Sequence, residues 1–270
     1  MATKQRAREL ARARYERQQA RRATARAKRR QRQQIVGAVA AVMVVVLGVV
    51  LLVRWTGGSG KPAATAPTPT TSASPTTAVA GTCGYVKSGR AAKDVGTPPS
   101  TGVPHSGTQD ATITPGSGVV HATLDTAKAP CTVNSFAYLA GKHYFDRTSC
   151  HRVTTSGIYV LQCGDPTATG SGGPGYQFGE ENLPAGAGTD NYPAGTLAMA
   201  NAGSGTNGSQ FFIVYKNTTL PPNYTVFGKV TAGLPVIQAI AKAGVSGGGT
   251  DGKPAKPVTI RTVTVQKAAA

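Results

Sequence analysis

The feature that most constrains this chain is an apolar run over residues 35–53, with the sequence IVGAVAAVMVVVLGVVLLV. These 19 residues contain no charged side chain and no strong hydrogen-bonding side chain. As an α-helix with a rise of about 1.5 Å per residue, the run would span roughly 28 Å, near the thickness of the hydrocarbon core of a membrane. We therefore predict a single transmembrane helix over residues 35–53.

A secretory signal is the main alternative for this run. The apolar region of such a signal usually has only ~7–15 residues and is followed closely by a cleavage site of small residues. Here the run is longer, and the cleavage triplet that we consider, Ala78-Val79-Ala80, lies far downstream of Val53. The sequence therefore favours a retained anchor.

The positive charge of the chain is concentrated before the apolar run. The net charge is +18, and residues 1–34 hold 13 Lys and Arg side chains against Glu9 and Glu16. Because positive flanks stay in the cytoplasm, we expect residues 1–34 to form a basic cytoplasmic tail and the part after Trp55 to be extracytoplasmic. The tail could also bind anionic lipid or nucleic acid, but Tyr15 is its only aromatic residue, so we predict no nucleic-acid partner.

All four cysteines follow the apolar run: Cys83, Cys131, Cys150 and Cys163. An even number of cysteines in an oxidising compartment indicates up to two disulfides, and the sequence does not choose among the three possible pairings. There is no CxxC pair, and His151 is the only nearby imidazole, so we predict no metal site.

Composition divides the part of the chain that follows the apolar run. Residues 54–80 are rich in Pro, Thr, Ala and Ser without apolar periodicity, which is typical of an extended, disordered linker. We interpret residues 81–110 as an irregular lead-in that Cys83 could attach to the domain. An alternating pattern begins at about Ala111, so we place the folded domain over residues 111–267.

The domain pattern predicts many short strands and two helices. One helix begins near Pro130 and ends at Gly141, and the second covers residues 234–243. Many short strands with Gly-rich turns favour a mainly β fold, either a closed antiparallel barrel or a sandwich. The predicted strands are 119–125, 150–154, 158–163, 196–200, 211–215, 225–230 and 258–265.

Two glycine motifs suggest other chemistry but lack the context that it requires. Residues 170–175 fit GxGxxG, but a dinucleotide site needs a helix to begin there, which Pro174 and the following residues do not favour. Residues 244–248 fit GxSxG, but a nucleophile elbow follows a strand, whereas a helix comes first here. With no credible catalytic triad, a hydrolase is disfavoured.

Arg152 and Gln162 lie in neighbouring strand-like runs, and adjacent antiparallel strands would let both side chains project from one face. Residues 200–210 supply a loop of Gly, Asn, Ser, Thr and Gln without a titratable side chain. On spacing alone, the default interpretation is that Arg152 is a surface arginine that bonds a neighbouring amide.

Three motifs change this interpretation. They closely resemble signature stretches of the cyclophilin family of peptidyl-prolyl cis-trans isomerases. The motifs are MANAGSGTNGSQFF at 199–212, HRV at 151–153 followed by LQCGDPTATGSGGPGY at 161–176, and VFGKV at 226–230. The resemblance covers about residues 111–266 and implies a closed eight-stranded antiparallel barrel capped by two helices. With its tail, apolar run and linker, the chain is similar to the membrane-anchored cyclophilins of actinobacteria.

The resemblance also implies roles for residues of this chain. The active-site arginine falls on Arg152, its glutamine on Gln162 and the proline-pocket phenylalanine on Phe212, and these three are the predicted catalytic residues. The predicted partners are proline-containing polypeptides, with no cofactor and a monomeric catalytic domain. The other predicted substrate contacts are His151, Tyr159, Val160, Ala200, Asn201, Ala202, Gln210, Leu220 and Tyr224.

Around the pocket, the chain departs from the best-known members of the family. Tyr159 and Val160 replace a Phe–Met pair, and Tyr224 stands where a histidine is often found. Thr219 stands where drug-sensitive members carry a tryptophan. These differences bear on pocket shape and on affinity for cyclosporin-type cyclic peptides more than on catalysis.

The function that follows is rotation about X–Pro bonds, which needs neither a nucleophile nor a general base and so suits an uncharged, hydrogen-bonding loop. We expect a membrane-anchored, extracytoplasmic isomerase that assists the folding of secreted or cell-wall proteins. The main alternative is a cyclophilin-like peptide-binding module or chaperone with little turnover.

Overall fold

The computed structural model describes residues 81–186 and 188–266. The predicted tail (1–34), transmembrane helix (35–53) and linker (54–80) lie outside the described residues, as does Lys267 at the end of the predicted domain. Within the described ranges, no helix is long and apolar enough to cross a membrane.

The described residues form short strands and two helices, α1 (Pro130–Gly141) and α2 (Leu234–Lys242). Both helices and most of the predicted strands begin and end within two residues of the predicted bounds. The strands are β1 (Val86–Lys87), β2 (Thr108–Pro115), β3 (Val120–Asp125), β4 (Thr148–Ser149), β5 (Arg152–Thr154), β6 (Val160–Cys163), β7 (Tyr176–Gln177), β8 (Thr196–Met199), β9 (Phe211–Val214), β10 (Val226–Ala232), β11 (Asp251–Gly252) and β12 (Thr259–Val265).

Ten of these strands form one curled antiparallel sheet in the order β11-β5-β6-β9-β8-β10-β3-β2-β12-β4, and β1 pairs with β7 separately. The predicted count of eight strands is therefore wrong, and the described strands form a curled sheet with ends at β11 and β4 instead of the predicted closed barrel. Cys150 and His151 separate β4 from β5, and the two-residue β11 adds an edge strand beside β5. Because of the separation at Cys150 and His151, residues 148–154 pair with β12 through their first half and with β6 through their second half.

The first turn of α1 is capped by a residue from a distant loop. Pro130 stands at the start of the helix, where a missing N–H is tolerated. The carboxylate of Glu181 accepts hydrogen bonds from the N–H groups of Cys131 at 3.0 Å and Thr132 at 2.8 Å. A negative charge at a helix N-terminus is favourable, so Glu181 takes the place of a local capping side chain.

Strands β8 and β9 are buried along both faces of the sheet. Since side chains alternate across a strand, one set packs into the main core under α1, and the other set forms a second apolar cluster on the opposite face. We call this second set the outer cluster. Its buried members are Val160, Tyr192, Ala198, Phe212 and Val214.

The lead-in before β2 packs on the domain. A disulfide joins Cys83 to Cys131 in α1, and a second disulfide joins Cys150 to Cys163. The ring of Tyr85 lies edge-on to two aromatic rings of the domain, and its hydroxyl donates to the carbonyl oxygen of Cys131 at 2.7 Å. The structure thus assigns both pairings that the sequence left open.

Candidate active site

A row of paired residues crosses five neighbouring strands. Arg152 on β5 pairs with Gln162 on β6, Gln162 with Phe212 on β9, Phe212 with Ala198 on β8, and Ala198 with Val226 on β10. Directly paired residues project to the same side of a sheet. The row therefore places a guanidinium and an amide beside the apolar outer cluster.

Arg152 is held by two other side chains. Its Nε and Nη2 donate to the two carboxylate oxygens of Asp251 at 2.7 and 2.8 Å, and its Nη1 donates to Oε1 of Gln162 at 3.2 Å. The hydrogen bond to Asp251 is the main cause that raises the pKa of Arg152, so the group stays charged. An arginine has five N–H donors, and these contacts use three of them.

The glutamines continue this hydrogen-bonded chain. Nε2 of Gln162 donates to Oε1 of Gln210 at 2.9 Å. Nε2 of Gln210 in turn donates to the carbonyl oxygens of Gly170 and Gly172, both at 2.9 Å. The orientation of Arg152 is therefore linked through two amides to the glycine-rich loop.

That loop is wrapped around the buried carboxylate of Asp165. The N–H groups of Thr167, Thr169, Gly170 and Gly172 donate to it at 2.7 to 3.1 Å. A Cβ on Gly172 would lie 2.0 Å from Oδ1 of Asp165, so only glycine permits this approach. Burial alone would raise the pKa of Asp165, but the hydrogen bonds from Thr167, Gly172 and Gly170 outweigh burial and lower it to about 2.

The GxGxxG stretch therefore surrounds an internal anion. It leads into β7, and no helix begins there. The stretch therefore lacks the helix that would have to begin there in a dinucleotide-binding motif.

The apolar end of the row is a pocket around Phe212. Its ring centroid lies 5.6 Å from that of Tyr224 and 6.3 Å from that of Tyr192. Half-buried side chains pack against the outer cluster that contains Phe212: Ile158, Ala200, Leu220, Tyr224 and Val226. Four of the other predicted site residues thus lie in or against the same cluster as Phe212, namely Val160, Ala200, Leu220 and Tyr224.

A polar loop borders the pocket on the side of Gln210. The N–H of Ala200 donates to the carbonyl oxygen of Gln210 at 2.9 Å, and Nδ2 of Asn201 donates to the carbonyl oxygen of Asn223 at 2.8 Å. The N–H of Ala202 donates to Oγ1 of Thr206 at 2.8 Å. Between this loop, the two glutamines and residues 88–90 of the lead-in lies an open groove of about 530 Å³.

Two predicted site residues lie outside the pocket. Tyr159 packs against the main core, with its ring centroid 6.0 Å from that of Tyr215, because alternation along the chain turns Ile158 and Val160 to the other face. His151 is buried beside Gly170, and neither of its ring nitrogens has a hydrogen-bond partner among the described residues. Burial lowers the pKa of His151 more than the nearby Asp165 raises it, so this imidazole is neutral at pH 7.

Two residues of the site were missed by the sequence analysis. Asp251 lies 99 positions from Arg152, and no local pattern relates the two. Tyr192 lies in an irregular segment, yet its hydroxyl donates to the carbonyl oxygen of Tyr224 at 3.1 Å and also accepts from the N–H of Tyr224 at 3.1 Å. Tyr192 thereby holds the loop that carries Leu220 and Tyr224 against the pocket.

The chemistry of this arrangement is binding and hydrogen-bond donation. It offers a fixed cation, amide groups and an apolar pocket, and the carboxylate beside the cation, that of Asp251, is engaged by Arg152. Over residues 81–186 and 188–266, no group of three or more His, Cys, Asp or Glu side chains could hold a metal ion. Such a site can seat an apolar ring and donate a hydrogen bond to an atom beside it.

Comparisons with known proteins agree on one family. A family model described as cyclophilin type peptidyl-prolyl cis-trans isomerase/CLD matches residues 111–265. A Mycobacterium leprae protein named probable peptidyl-prolyl cis-trans isomerase B is 47% identical over 201 residues, which cover 70% of this chain and 68% of that protein. A Mycobacterium tuberculosis protein of the same name is 56% identical over 151 residues, which cover 52% of this chain and 49% of that protein.

Solved structures agree with this match. The crystal structure of a Cryptosporidium parvum cyclophilin type peptidyl-prolyl cis-trans isomerase has a TM-score of 0.53 and 28% identity, covering 60% of this chain and 100% of that one. The structure of the same protein in the presence of the dipeptide Ala-Pro has a TM-score of 0.52.

Proposed function

This chain belongs to the cyclophilin-type peptidyl-prolyl cis-trans isomerases, and we propose that it turns X–Pro bonds in extracytoplasmic proteins with Arg152, Gln162 and Phe212 as its central residues. The obstacle to this rotation is amide resonance, a barrier of ~18–20 kcal/mol that makes the uncatalysed step take tens of seconds or longer. The rotation breaks no covalent bond and transfers no proton.

The pocket around Phe212 would seat the proline ring. Its members are apolar, and half-buried residues such as Leu220 and Tyr224 pack against them. The related Cryptosporidium protein has been crystallised in the presence of the dipeptide Ala-Pro, which supports a proline-containing ligand for this chain. The residues that precede proline would lie along Ala200–Ala202 and the adjoining groove, gripped by backbone hydrogen bonds as an added strand is.

Arg152 would act on the bond itself. As the X–Pro bond twists, resonance is lost and the prolyl nitrogen gains a lone pair that can accept a hydrogen bond. A donor placed beside the proline pocket meets that lone pair only in the twisted state, so its contribution is confined to the transition state. Gln162, which accepts from Nη1 of Arg152, would keep the guanidinium in place.

The observation that carries this assignment is the register of the sheet. It sets Arg152, Gln162 and Phe212 in one row, so a ring seated on Phe212 would have Gln162 on the neighbouring strand and Arg152 one strand further along the row.

An extracytoplasmic location is supported by the cysteines. The two pairs Cys83–Cys131 and Cys150–Cys163 account for every cysteine of the chain. Disulfides persist in oxidising compartments and are rare in the cytosol. Together with the apolar run at 35–53 and the basic residues before it, they support a domain held outside the membrane by a single anchor, with secreted or cell-wall proteins as substrates.

Exchange NMR on an Ala-Pro peptide tests the activity. The full chain in detergent should raise the cis–trans exchange rate at micromolar concentration and should shift the peptide resonances on binding. Binding without faster exchange would instead support a peptide-binding module.

A protease test addresses the location. Protease added to intact cells should remove the domain and spare a tag placed before residue 1. A domain that survives until the cells are lysed would overturn the extracytoplasmic assignment.

A further inference from the structure

We propose that Asp251 is a positioning residue for Arg152 and that its carboxylate sets which charges the site accepts beside the proline. The proposal rests on the function proposed above, because it concerns the same arginine.

The backbone brings Asp251 to this place. β11 pairs with β5, with Asp251 opposite Thr154 and Gly252 opposite Val153, so the edge strand lies directly along the strand that carries Arg152. From there the Asp251 carboxylate reaches Nε and Nη2 of Arg152 at 2.7 and 2.8 Å. Two parallel hydrogen bonds fix the plane of a guanidinium as well as its position.

Stability does not explain the pair. The side chains of Arg152 and Asp251 are 37% and 54% exposed, and exposed ion pairs contribute little to folding. The effect to expect is therefore on the geometry of the donor.

Asp251 and Gln162 together leave a defined set of donors. Asp251 takes Nε–H and one N–H of Nη2, and Gln162 takes one N–H of Nη1. One N–H on each of Nη1 and Nη2 is then not engaged by any described residue. A guanidinium held at two edges presents these two donors without further loss of side-chain freedom.

The carboxylate also balances the charge of Arg152. In its absence, a cation without a close counter-ion would lie beside the bound peptide. Acidic residues next to proline would then be favoured over basic ones, by about three- to fivefold for charges some 8 Å apart at low salt.

The test compares three variants of the full chain: Asp251→Asn, Asp251→Glu and the control Asp110→Asn. Asp110 on β2 carries the same charge and is bonded to Thr123, away from the row. Exchange NMR is run on matched Ala-Pro, Glu-Pro and Lys-Pro peptides. Solvent exchange of the Arg152 Nε–H is followed by side-chain NMR.

We expect Asp251→Asn to lower Ala-Pro turnover about tenfold with peptide affinity nearly unchanged, and to raise the Glu-Pro to Lys-Pro rate ratio about three- to fivefold. Asp251→Glu should restore most of the turnover, and the Arg152 Nε–H should exchange faster only in Asp251→Asn. Unchanged turnover and an unchanged rate ratio in Asp251→Asn, as in Asp110→Asn, would overturn the proposal. If the wild type fails to accelerate exchange, the proposed function fails, and the Nε–H signal still reports whether Asp251 holds the arginine.

Discussion

Arg152 and Phe212 are two strands apart in one row, yet they would act on different states of the substrate. The prolyl nitrogen accepts a hydrogen bond only as the bond twists, whereas the proline ring is apolar throughout. Binding energy that is present in both states improves affinity, and energy that appears only in the transition state improves turnover.

Substitution at these two residues should therefore have different effects. Arg152→Ala should lower turnover by roughly ten- to over a hundredfold, the worth of a charge-assisted hydrogen bond, with little loss of peptide affinity. Phe212→Ala should lower both turnover and peptide affinity. Arg152→Lys keeps the charge but loses the planar fork, so most activity should still be lost. Exchange NMR reports binding and rate in one sample, and normal turnover by Arg152→Ala would refute its role.

Thr219 gives a second prediction at this scale. It is exposed beside Leu220, and its Oγ1 accepts from the N–H of Asp190 at 2.9 Å. An indole there could cover part of the pocket rim, because tryptophan buries about 150–250 Å² and can donate a hydrogen bond. Thr219→Trp should tighten binding of cyclosporin-type peptides in a fluorescence titration, and Thr219→Val controls for loss of the contact with Asp190. Equal affinity in both variants would mean that position 219 does not face the inhibitor.

Among the structural elements, the loop from Asp165 to Gly172 is the main support of the polar half of the site. Four of its N–H groups converge on one buried carboxylate, and two of its carbonyl oxygens hold Gln210. Gly164 begins the turn with φ 91°, and a Cβ there would lie 2.2 Å from the carbonyl oxygen of Ser209. The start of the loop therefore packs closely against Ser209, two residues before β9.

Acid should loosen this loop. The pKa of Asp165 is about 2 in the folded chain and about 3.9 in an unfolded one, so its contribution to stability is full above about pH 4 and is lost as the pH falls towards 2. Asp165→Ala should lower the free energy of unfolding by roughly 3 kcal/mol or more at pH 7, because several buried N–H groups lose their acceptor.

Urea unfolding at several pH values measures this effect. Asp165→Asn should flatten the decline of stability between about pH 4 and 2, whereas the exposed control Asp190→Asn should retain it. A wild type equally stable at pH 2 and pH 5 would contradict the assignment.

Over the whole described domain, the two disulfides serve different regions. Cys83–Cys131 spans 48 positions and ties the lead-in, with its side of the groove, to α1. Cys150–Cys163 spans only 13 positions and joins the segments immediately before Arg152 and after Gln162. Because its loop is longer, the first disulfide should contribute more to the free energy of unfolding. Because it lies next to Arg152 and Gln162, the second should matter more for turnover.

Paired Cys→Ser variants separate these effects. In the chain-entropy model, loss of Cys83–Cys131 should reduce the free energy of unfolding by about 4 kcal/mol, and loss of Cys150–Cys163 by about 3 kcal/mol. Loss of Cys150–Cys163 should cause the larger loss of turnover, because the segments that carry Arg152 and Gln162 are then no longer joined by a disulfide. Denaturant unfolding and exchange NMR on the same samples give both values, and the reverse order of turnover would contradict this division.

The local pattern of the sequence was enough to predict much of this domain. Alternation and glycine punctuation predicted α1, α2 and most strands, because side-chain periodicity and backbone preference act over a few residues. Family motifs led us to predict Arg152, Gln162 and Phe212 as catalytic residues. The register of the sheet sets these three residues in one row.

Tertiary structure decided what depends on segments that are distant in sequence. The hydrogen bond between Arg152 and Asp251 joins residues 99 positions apart, and the hydrogen bond between Tyr192 and Tyr224 joins residues 32 positions apart. The break of residues 148–154 into β4 and β5 and the choice of disulfide partners likewise depend on which segments the fold brings together. Such contacts leave no periodic trace in the chain, because they are set by strand register and by which loops lie next to each other once the core is packed.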